Sequence, residues 1–256
     1  MTLDFNPRPS MADRINALVD AALIAEREAA PPRTYLGASR LGHACERALQ
    51  FEFAGAPRDE GADFGGQTLR IFEIGHQLED LAIRWLRAAG IVIYTRKGNR
   101  PDGEQFGFSV AGGRIRGHVD GIIADAPAAL GLHTPALWEC KTMNAKNWRA
   151  CVKNGVTVSK PVYAAQIAIY QAYMEAPVPG ISAAPALFTA INKDTAELHH
   201  ELVPFDAALA QRMSDRAVRI LQATDAGDLL PRIAANRDFF ECRFCSHAGR
   251  CWGLAA

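Results

Sequence analysis

The sequence predicts an α/β protein with helical additions at both ends. Three observations predict it. Apolar residues recur at helical spacing over 11–29, 67–89 and 161–174. Runs rich in β-branched and aromatic residues fall at 91–96, 106–110, 114–125 and 136–143, then again at 186–193 and 198–205. The order is therefore helix, three or four strands, helix, two strands, helix. At about 150 residues per domain, 256 residues make fewer than two domains, so one elaborated domain over 1–256 is expected.

Each element has a local reason. The helix over 11–29 ends at Pro31-Pro32, which cannot continue it. A second helix is expected over 38–53, with Ser39 as its cap. Residues 57–66 are rich in Gly and Asp and read as a loop. The helix over 67–89 carries Leu69, Phe72, Leu78, Leu81, Ile83 and Leu86 on a wide stripe and stops at Gly90. The strand at 106–110 follows a Pro-Asp-Gly turn beginning at Pro101. The run 114–125 and the run 136–143 complete a meander. A polar stretch leads to the helix over 161–174, with Pro161 suited to its first turn. A last helix spans about 206–226, and three cysteines lie in the tail beyond it.

Composition excludes several classes. Hydrophobic residues make up 49% and charged residues 22%, which is ordinary for a globular chain and excludes a wholly disordered one. No apolar run approaches the roughly 18 residues of a membrane span. The opening MTLDFNPRPS has no basic segment followed by an apolar one, so no secretory signal is expected and a cytoplasmic location follows as the default. Lys and Arg together number 28, as do Asp and Glu, so net charge argues neither for nor against nucleic acid. Local charge is more informative. Lys141, Lys146, Arg149, Lys153 and Lys160 lie in a stretch, Cys140 to Met174, that contains no acidic residue. Such a strip could follow a phosphate backbone or could be a solvated basic face.

The chemistry-bearing residues sit on two expected strands. Glu139 and Lys141 are two apart, so both point to one face while Cys140 points to the other. Asp120 lies in the middle of the run 114–125 and can meet Glu139 if the two strands pair. Two carboxylates at one point repel unless a cation neutralises them. A hard cation such as Mg²⁺ takes one or two carboxylates and keeps several waters. Lys141 beside them could hold water or offset charge on a phosphate. These parts suit hydrolysis of a phosphodiester with metal assistance. An isolated Glu-x-Lys on an exposed strand says little, but Leu137, Trp138 and Met143 flank this one.

In order along the chain, GHVDGII (117–123) and WECK (138–141) resemble the PD-(D/E)xK nuclease superfamily, most closely its RecB-like members and phage-type exonucleases. Gly75-x-x-x-Glu79 resembles the superfamily's helix motif. Gln166-x-x-x-Tyr170 resembles the Q-x-x-x-Y motif of RecB-like members, with both residues on one helical face. The stretch from KTMNAKNW to AAQIAIYQAYM is similar to phage exonucleases, and the likeness runs over about 38–251. The resemblance implies a restriction-endonuclease-like core over about 67–205, with a central mixed sheet flanked by helices. It implies Asp120, Glu139, Glu79 and the backbone carbonyl of Cys140 as ligands of Mg²⁺ or Mn²⁺. His76, three residues before Glu79, is either a further ligand or a surface histidine. Lys141 would orient the water, and Gln166 and Tyr170 would contact DNA or brace Lys141. Lys146, Arg149, Lys153 and Lys160 would then bind DNA.

Cysteine usage points to a second metal centre. Cys242, Cys245 and Cys251 fall within ten positions, and clustering of this kind in a cytosolic chain suggests a metal before a disulfide. A closed site needs a fourth ligand, and Cys45 is the candidate. One cysteine before the nuclease motifs and three after them is similar to the RecB-like nucleases that hold a [4Fe–4S] cluster, among them CRISPR-associated Fe–S nucleases and AddB-type subunits. That likeness implies a cluster joining about 38–55 to about 206–256. Zinc is the alternative, with His247 as a possible substitute ligand. Arg47, Arg243 and Arg250 adjoin these positions and could lower thiol pKa values. Cys140 and Cys151 match no ligand position.

The expected function is a metal-dependent DNA exonuclease in a phage or prokaryotic setting, acting in DNA recombination, repair or processing. Its partners would be DNA and either a helicase or a single-strand annealing protein. Two other readings stay open. One is a non-catalytic nucleic-acid-binding subunit with a structural metal centre. The other is a PD-(D/E)xK endonuclease.

Overall fold

A computed structural model describes residues 9–99 and 102–253. Residues 1–8, which carry most of the segment read above for a secretory signal, and Pro101 of the expected turn lie outside the described residues.

The chain opens with α1 (Met11–Ala29), whose Ser10 accepts a bond from the Asp13 amide while the Asp13 carboxylate accepts one from the Ser10 amide. Two short extended residues form β1 (Leu36–Gly37). Helix α2 (Glu46–Phe53) precedes the long α3 (Gly66–Ala88). Strands β2 (Val92–Tyr94), β3 (Gly107–Val110), β4 (Ile115–His118), β5 (Gly121–Asp125) and β6 (Ala136–Met143) follow. Then come α4 (Ala145–Asn154), α5 (Val156–Ser159) and α6 (Pro161–Met174). The last pair of strands is β7 (Ala186–Asn192) and β8 (Leu198–Val203). Helix α7 (Ala207–Ala226) is capped by Asp206 and stopped by Gly227 in the left-handed region. Two short helices, α8 (Phe240–Arg243) and α9 (Ala248–Gly253), form the tail. None of the described helices is long and apolar enough to cross a membrane.

The strands form two mixed sheets rather than one. The larger has the order β2-β5-β6-β7-β8, with β6 and β7 parallel and the other pairs antiparallel. The smaller has the order β1-β4-β3, with β1 parallel to β4. Buried apolar residues form two clusters. One joins Leu137, Phe188, Ile167 and Ile169 with Ile220 and Leu221 of α7. The other joins Trp138, Ile123 and Leu187 with Ala82, Ile83 and Leu86 of α3. Leu137 and Trp138 fall in different clusters because neighbouring strand residues face opposite sides. The mixed α/β class with flanking helices is as the sequence predicts.

Three local expectations differ. The helix over 38–53 is instead a single 3₁₀ turn (Ala38–Arg40), a bend and α2. Arg216 of α7 donates to the Leu41 and Ala44 carbonyls at 3.0 and 2.9 Å and so ties the bend to α7. Gly42 in this bend lies against α6 so closely that a Cβ would stand 2.8 Å from the Val162 Cα. Ser39 caps no helix and instead lines the same cleft as Tyr170. The run 114–125 breaks at Val119-Asp120, leaving β4 in one sheet and β5 in the other. Lastly, the polar stretch after β6 contains α4. Asn144 caps it, accepting from the Asn147 amide at 2.9 Å, and Gly155 ends it.

Candidate active site

Asp120 occupies the break between the two sheets, not the middle of a strand. Strand β5 pairs with β6 so that Gly121 faces Trp138, which sets Asp120 across from Glu139. The Cys140 amide donates to Asp120 Oδ2 at 2.8 Å, fixing the carboxylate at the end of the ladder. Glu139 is fully buried, and Lys141 is on the same face of β6. The Lys141 ammonium bonds Glu139 Oε1 and donates to the Cys140 carbonyl at 3.0 Å. It stands 3.6 Å from Asp120 Oδ2 and 5.7 Å from the centre of the Tyr163 ring.

Helix α6 supplies the other wall. Gln166 and Tyr170, one turn apart, are both buried, and the Gln166 amide donates to Glu139 Oε1. Gln166 thus braces Glu139 rather than Lys141. The Tyr170 ring meets Phe108 edge-on at 5.5 Å. Gly117 passes so close that a Cβ there would stand 2.9 Å from the Tyr170 Cε1. Oε1 of Glu139 therefore has two donors, while its Oε2 is buried and has no hydrogen-bond partner among the described residues. A buried carboxylate oxygen without a donor is costly unless a cation or water meets it.

Helix α3 brings Glu79 to the same place. Burial and the nearby Asp120 carboxylate push its pKa up to about 8, against the opposing pull of Lys141. The same two causes raise Glu139. Burial alone would depress Lys141, but Asp120 and Glu139 outweigh it and hold the ammonium charged. His76 is exposed one turn before Glu79 and lines the same opening.

Glu79, Asp120, Lys141, Gln166 and Tyr170 line a cleft of about 950 Å³ between α3, the smaller sheet and α6, with Glu139 fully buried behind them. The rim of the cleft holds Arg33, Arg96, Arg116 and His118. The guanidiniums of Arg33 and Arg116 lie 5.2 and 5.0 Å from the centre of the Tyr35 ring. Sequence reasoning missed these cations because they come from three separate segments with no shared spacing. The residues expected to bind DNA sit elsewhere. Lys146, Arg149 and Lys153 lie along α4, Lys160 donates to the Asn147 side chain at 2.9 Å, and none of the four lines the cleft.

In a cavity separate from the cleft, the four expected cluster cysteines meet. Cys45, Cys242, Cys245 and Cys251 all line one small cavity of about 20 Å³, together with His43. Hydrogen bonds between α2 with its following loop and the tail bring them together. Gln50 donates to the Asp228 carbonyl at 2.6 Å and accepts from the Leu230 amide at 2.9 Å. Asp59 accepts from the Arg250 amide at 3.1 Å and donates its own amide to the Ser246 carbonyl at 2.8 Å. Arg47 is buried and approaches the Cys251 sulfur at 3.8 Å. Burial, and then the other thiols, raise Cys242 and Cys245. His247 does not line the cavity. Its ring nitrogens contact the Ala56 carbonyl at 3.3 Å and the Ser246 hydroxyl at 3.3 Å. His43 is the imidazole beside the thiols.

The fold and cleft define a mixed α/β protein with three carboxylates and a lysine at the edge where two sheets part. An alkaline exonuclease (LHK-Exo) from Laribacter hongkongensis has a similar fold, with a TM-score of 0.50 at 14% identity over 81% of this chain and 93% of that one. So does the protein SSO0001, with a TM-score of 0.50 at 14% identity over 97% of this chain and all of that one. No family model and no curated protein matches the sequence.

Proposed function

We propose that this protein is a divalent-metal-dependent DNA exonuclease of the PD-(D/E)xK type. One observation carries the reading. The buried Glu139 keeps one oxygen without a hydrogen-bond partner among the described residues, and it adjoins Asp120, Glu79 and Lys141, which line a cleft with a cationic rim. The fold likeness to an alkaline exonuclease agrees with it.

Asp120, Glu139 and Glu79, with the Cys140 carbonyl, are the oxygens that would hold the ion. Oxygen ligands and net negative charge fit Mg²⁺ or Mn²⁺. When bound, the ion supplies Lewis acidity toward a phosphoryl oxygen and lowers the pKa of water. The chain does the rest. Gln166 holds Glu139 by Oε1, which would leave Oε2 for the ion. Lys141 orients water and offsets charge growing on the phosphate. Arg33, Arg96 and Arg116 draw the strand to the rim, and the basic face of α4 adds sequence-independent affinity. The setting in this reading is DNA recombination, repair or processing in a phage or prokaryote, beside a helicase or an annealing protein.

The thiol cavity is proposed to hold a [4Fe–4S] cluster that ties α2 to the tail. Four thiols are the donor set it needs. Zinc on the same thiols is the alternative, and metal content with the colour of the protein separates the two.

The deciding experiment is digestion of end-labelled linear and closed circular DNA with Mg²⁺, with Mn²⁺ and with EDTA. Metal-dependent release of nucleotides from linear DNA alone is expected. Cutting of closed circles would make it an endonuclease. No cleavage under any condition would leave a binding subunit.

Two further outcomes are expected. Replacing Lys146 and Arg149 together should weaken DNA binding and flatten its salt dependence by about 0.9 for each phosphate no longer neutralised. An unchanged slope would make α4 a solvated face. The second concerns pH. Glu79 has a folded pKa of about 8 against an ordinary 4.5, so folding favours its protonated form. Metal-free protein should therefore lose stability as pH rises from about 4.5 through about 8. Mg²⁺ should raise the Tm more above pH 8 than below pH 6, since protons and metal compete for the same oxygens. A pH-independent Mg²⁺ increment in thermal melts would contradict the ligand set.

A further inference from the structure

We infer that Cys151, His199 and Glu201 form a third metal site, suited to a borderline-soft divalent ion such as Zn²⁺, away from both the cleft and the thiol cavity. Among the described residues, these three make up the group whose ligand atoms all lie within 4.8 Å of one another. The sequence places them apart: Cys151 is on α4, and His199 and Glu201 are on β8.

Their convergence has a physical cause. His199 and Glu201 are two residues apart on a strand, so both project to one side. Strand β8 is the edge of the large sheet, and α4 lies against its neighbour β7, with Trp148 donating to the Ala190 carbonyl at 3.2 Å. Cys151 is the buried residue of that helix and points at the same side. Gly155 completes the approach. Its φ of +76° favours glycine, and a Cβ there would stand 2.9 Å from the Glu201 Oε1, so the residue leaves the carboxylate its place.

A second observation points to a ligand. His199 Nε2 is buried with no hydrogen-bond partner among the described residues, and it stands 3.7 Å from Glu201 Oε2. Glu201 spends Oε2 on the Val156 amide at 2.8 Å. His199 and Glu201 meet only at ion-pair distance, and with the Cys151 thiol they bring a ring nitrogen, a carboxylate oxygen and a sulfur to one point, a donor set that a common cation would satisfy. Thiolate with imidazole and carboxylate favours Zn²⁺ over Mg²⁺. The Cys151 thiol, raised by burial, gives up its proton on binding. His199 and Glu201 are each 23% exposed, so the group lies near the protein surface. The site would pin α4 to the sheet edge, and α4 carries the cations Lys146, Arg149 and Lys153.

The test is Zn²⁺ binding and Co²⁺ absorption by the full chain, compared with Cys151→Ser and His199→Gln. Each variant should bind one Zn²⁺ fewer per chain, or bind it at least tenfold more weakly. The wild-type-minus-Cys151→Ser Co²⁺ spectrum should show a thiolate-to-metal band. Because His199 is partly exposed, His199→Gln reports even where the cysteine variant misfolds. Equal Zn²⁺ content in wild type and His199→Gln, with no difference band, would overturn the site. The readout is metal content, so the result stands apart from whether the protein cleaves DNA.

Discussion

Asp120→Asn and Glu139→Gln should each lower the rate of DNA cleavage by at least about a thousandfold, roughly 4 kcal/mol of barrier. These variants are sharper than alanine. Asp120 accepts the Cys140 amide at 2.8 Å, and alanine would leave that buried donor unpaired at about 1–3 kcal/mol. Asparagine keeps an acceptor and removes only the charge. Glutamine at 139 likewise fills the buried space and removes a charged oxygen from the ion. Metal binding, followed by the Mg²⁺ increment in thermal melts, should weaken in both. Lys141→Ala should lose about a hundredfold or more in turnover while DNA is still bound, because its ammonium meets the site and not the rim. Near-normal Mg²⁺-dependent cleavage by Asp120→Asn or Glu139→Gln would refute the assignment.

The second large effect lies at the thiol cavity. Anaerobically purified protein should be brown, and Cys45→Ser or Cys242→Ser should bleach it. Either change should also lower the Tm by roughly 10 °C, at about 2–4 °C per kcal/mol for a chain of this size. The reason is that ligand binding there is folding free energy. The cavity joins α2 to a tail whose own helices are only four and six residues long. Such helices do not persist alone. Cys151→Ser, at the separate site on α4, should leave the colour intact. Cleavage should fall only as the fold is lost, since phosphodiester hydrolysis needs no electron transfer. Colourless protein with one zinc bound in the cavity would replace the cluster and leave the cleft chemistry standing.

Sequence reasoning reaches far where the signal is periodic. The spans of α1, α3, β6 and α6 follow from 3.6- and 2-residue patterns, and those of α1 and α6 match the expected limits. The shared face of Glu139 and Lys141 needs only the alternation of a strand. The pairing of Gln166 with Tyr170 needs only a helical turn. Helix α4 carries a legible signal too, though a weaker one. Asn144 is a capping residue, Trp148, Cys151 and Val152 recur at helical spacing, and Gly155 ends the pattern, but the density of charge masks it.

Residue patterns thus reach the local level: which segments are helix or strand, and which side chains share a face. How those faces are held together rests on contacts distant in sequence. The tertiary structure broke 114–125 at Asp120, because β4 and β5 pair with different partners and a residue between two ladders is free to turn its carboxylate to the Cys140 amide. It tied the bend at 41–44 to α7, with Arg216 donating to two carbonyls from more than 170 positions away. It gathered Arg33, Arg96 and Arg116 on one rim, and it supplied the hydrogen bonds of Gln50 and Asp59 by which Cys45 reaches the tail as expected. None of these has a period, since each rests on a partner distant in sequence. Periodicity reports only what neighbouring residues can do for one another.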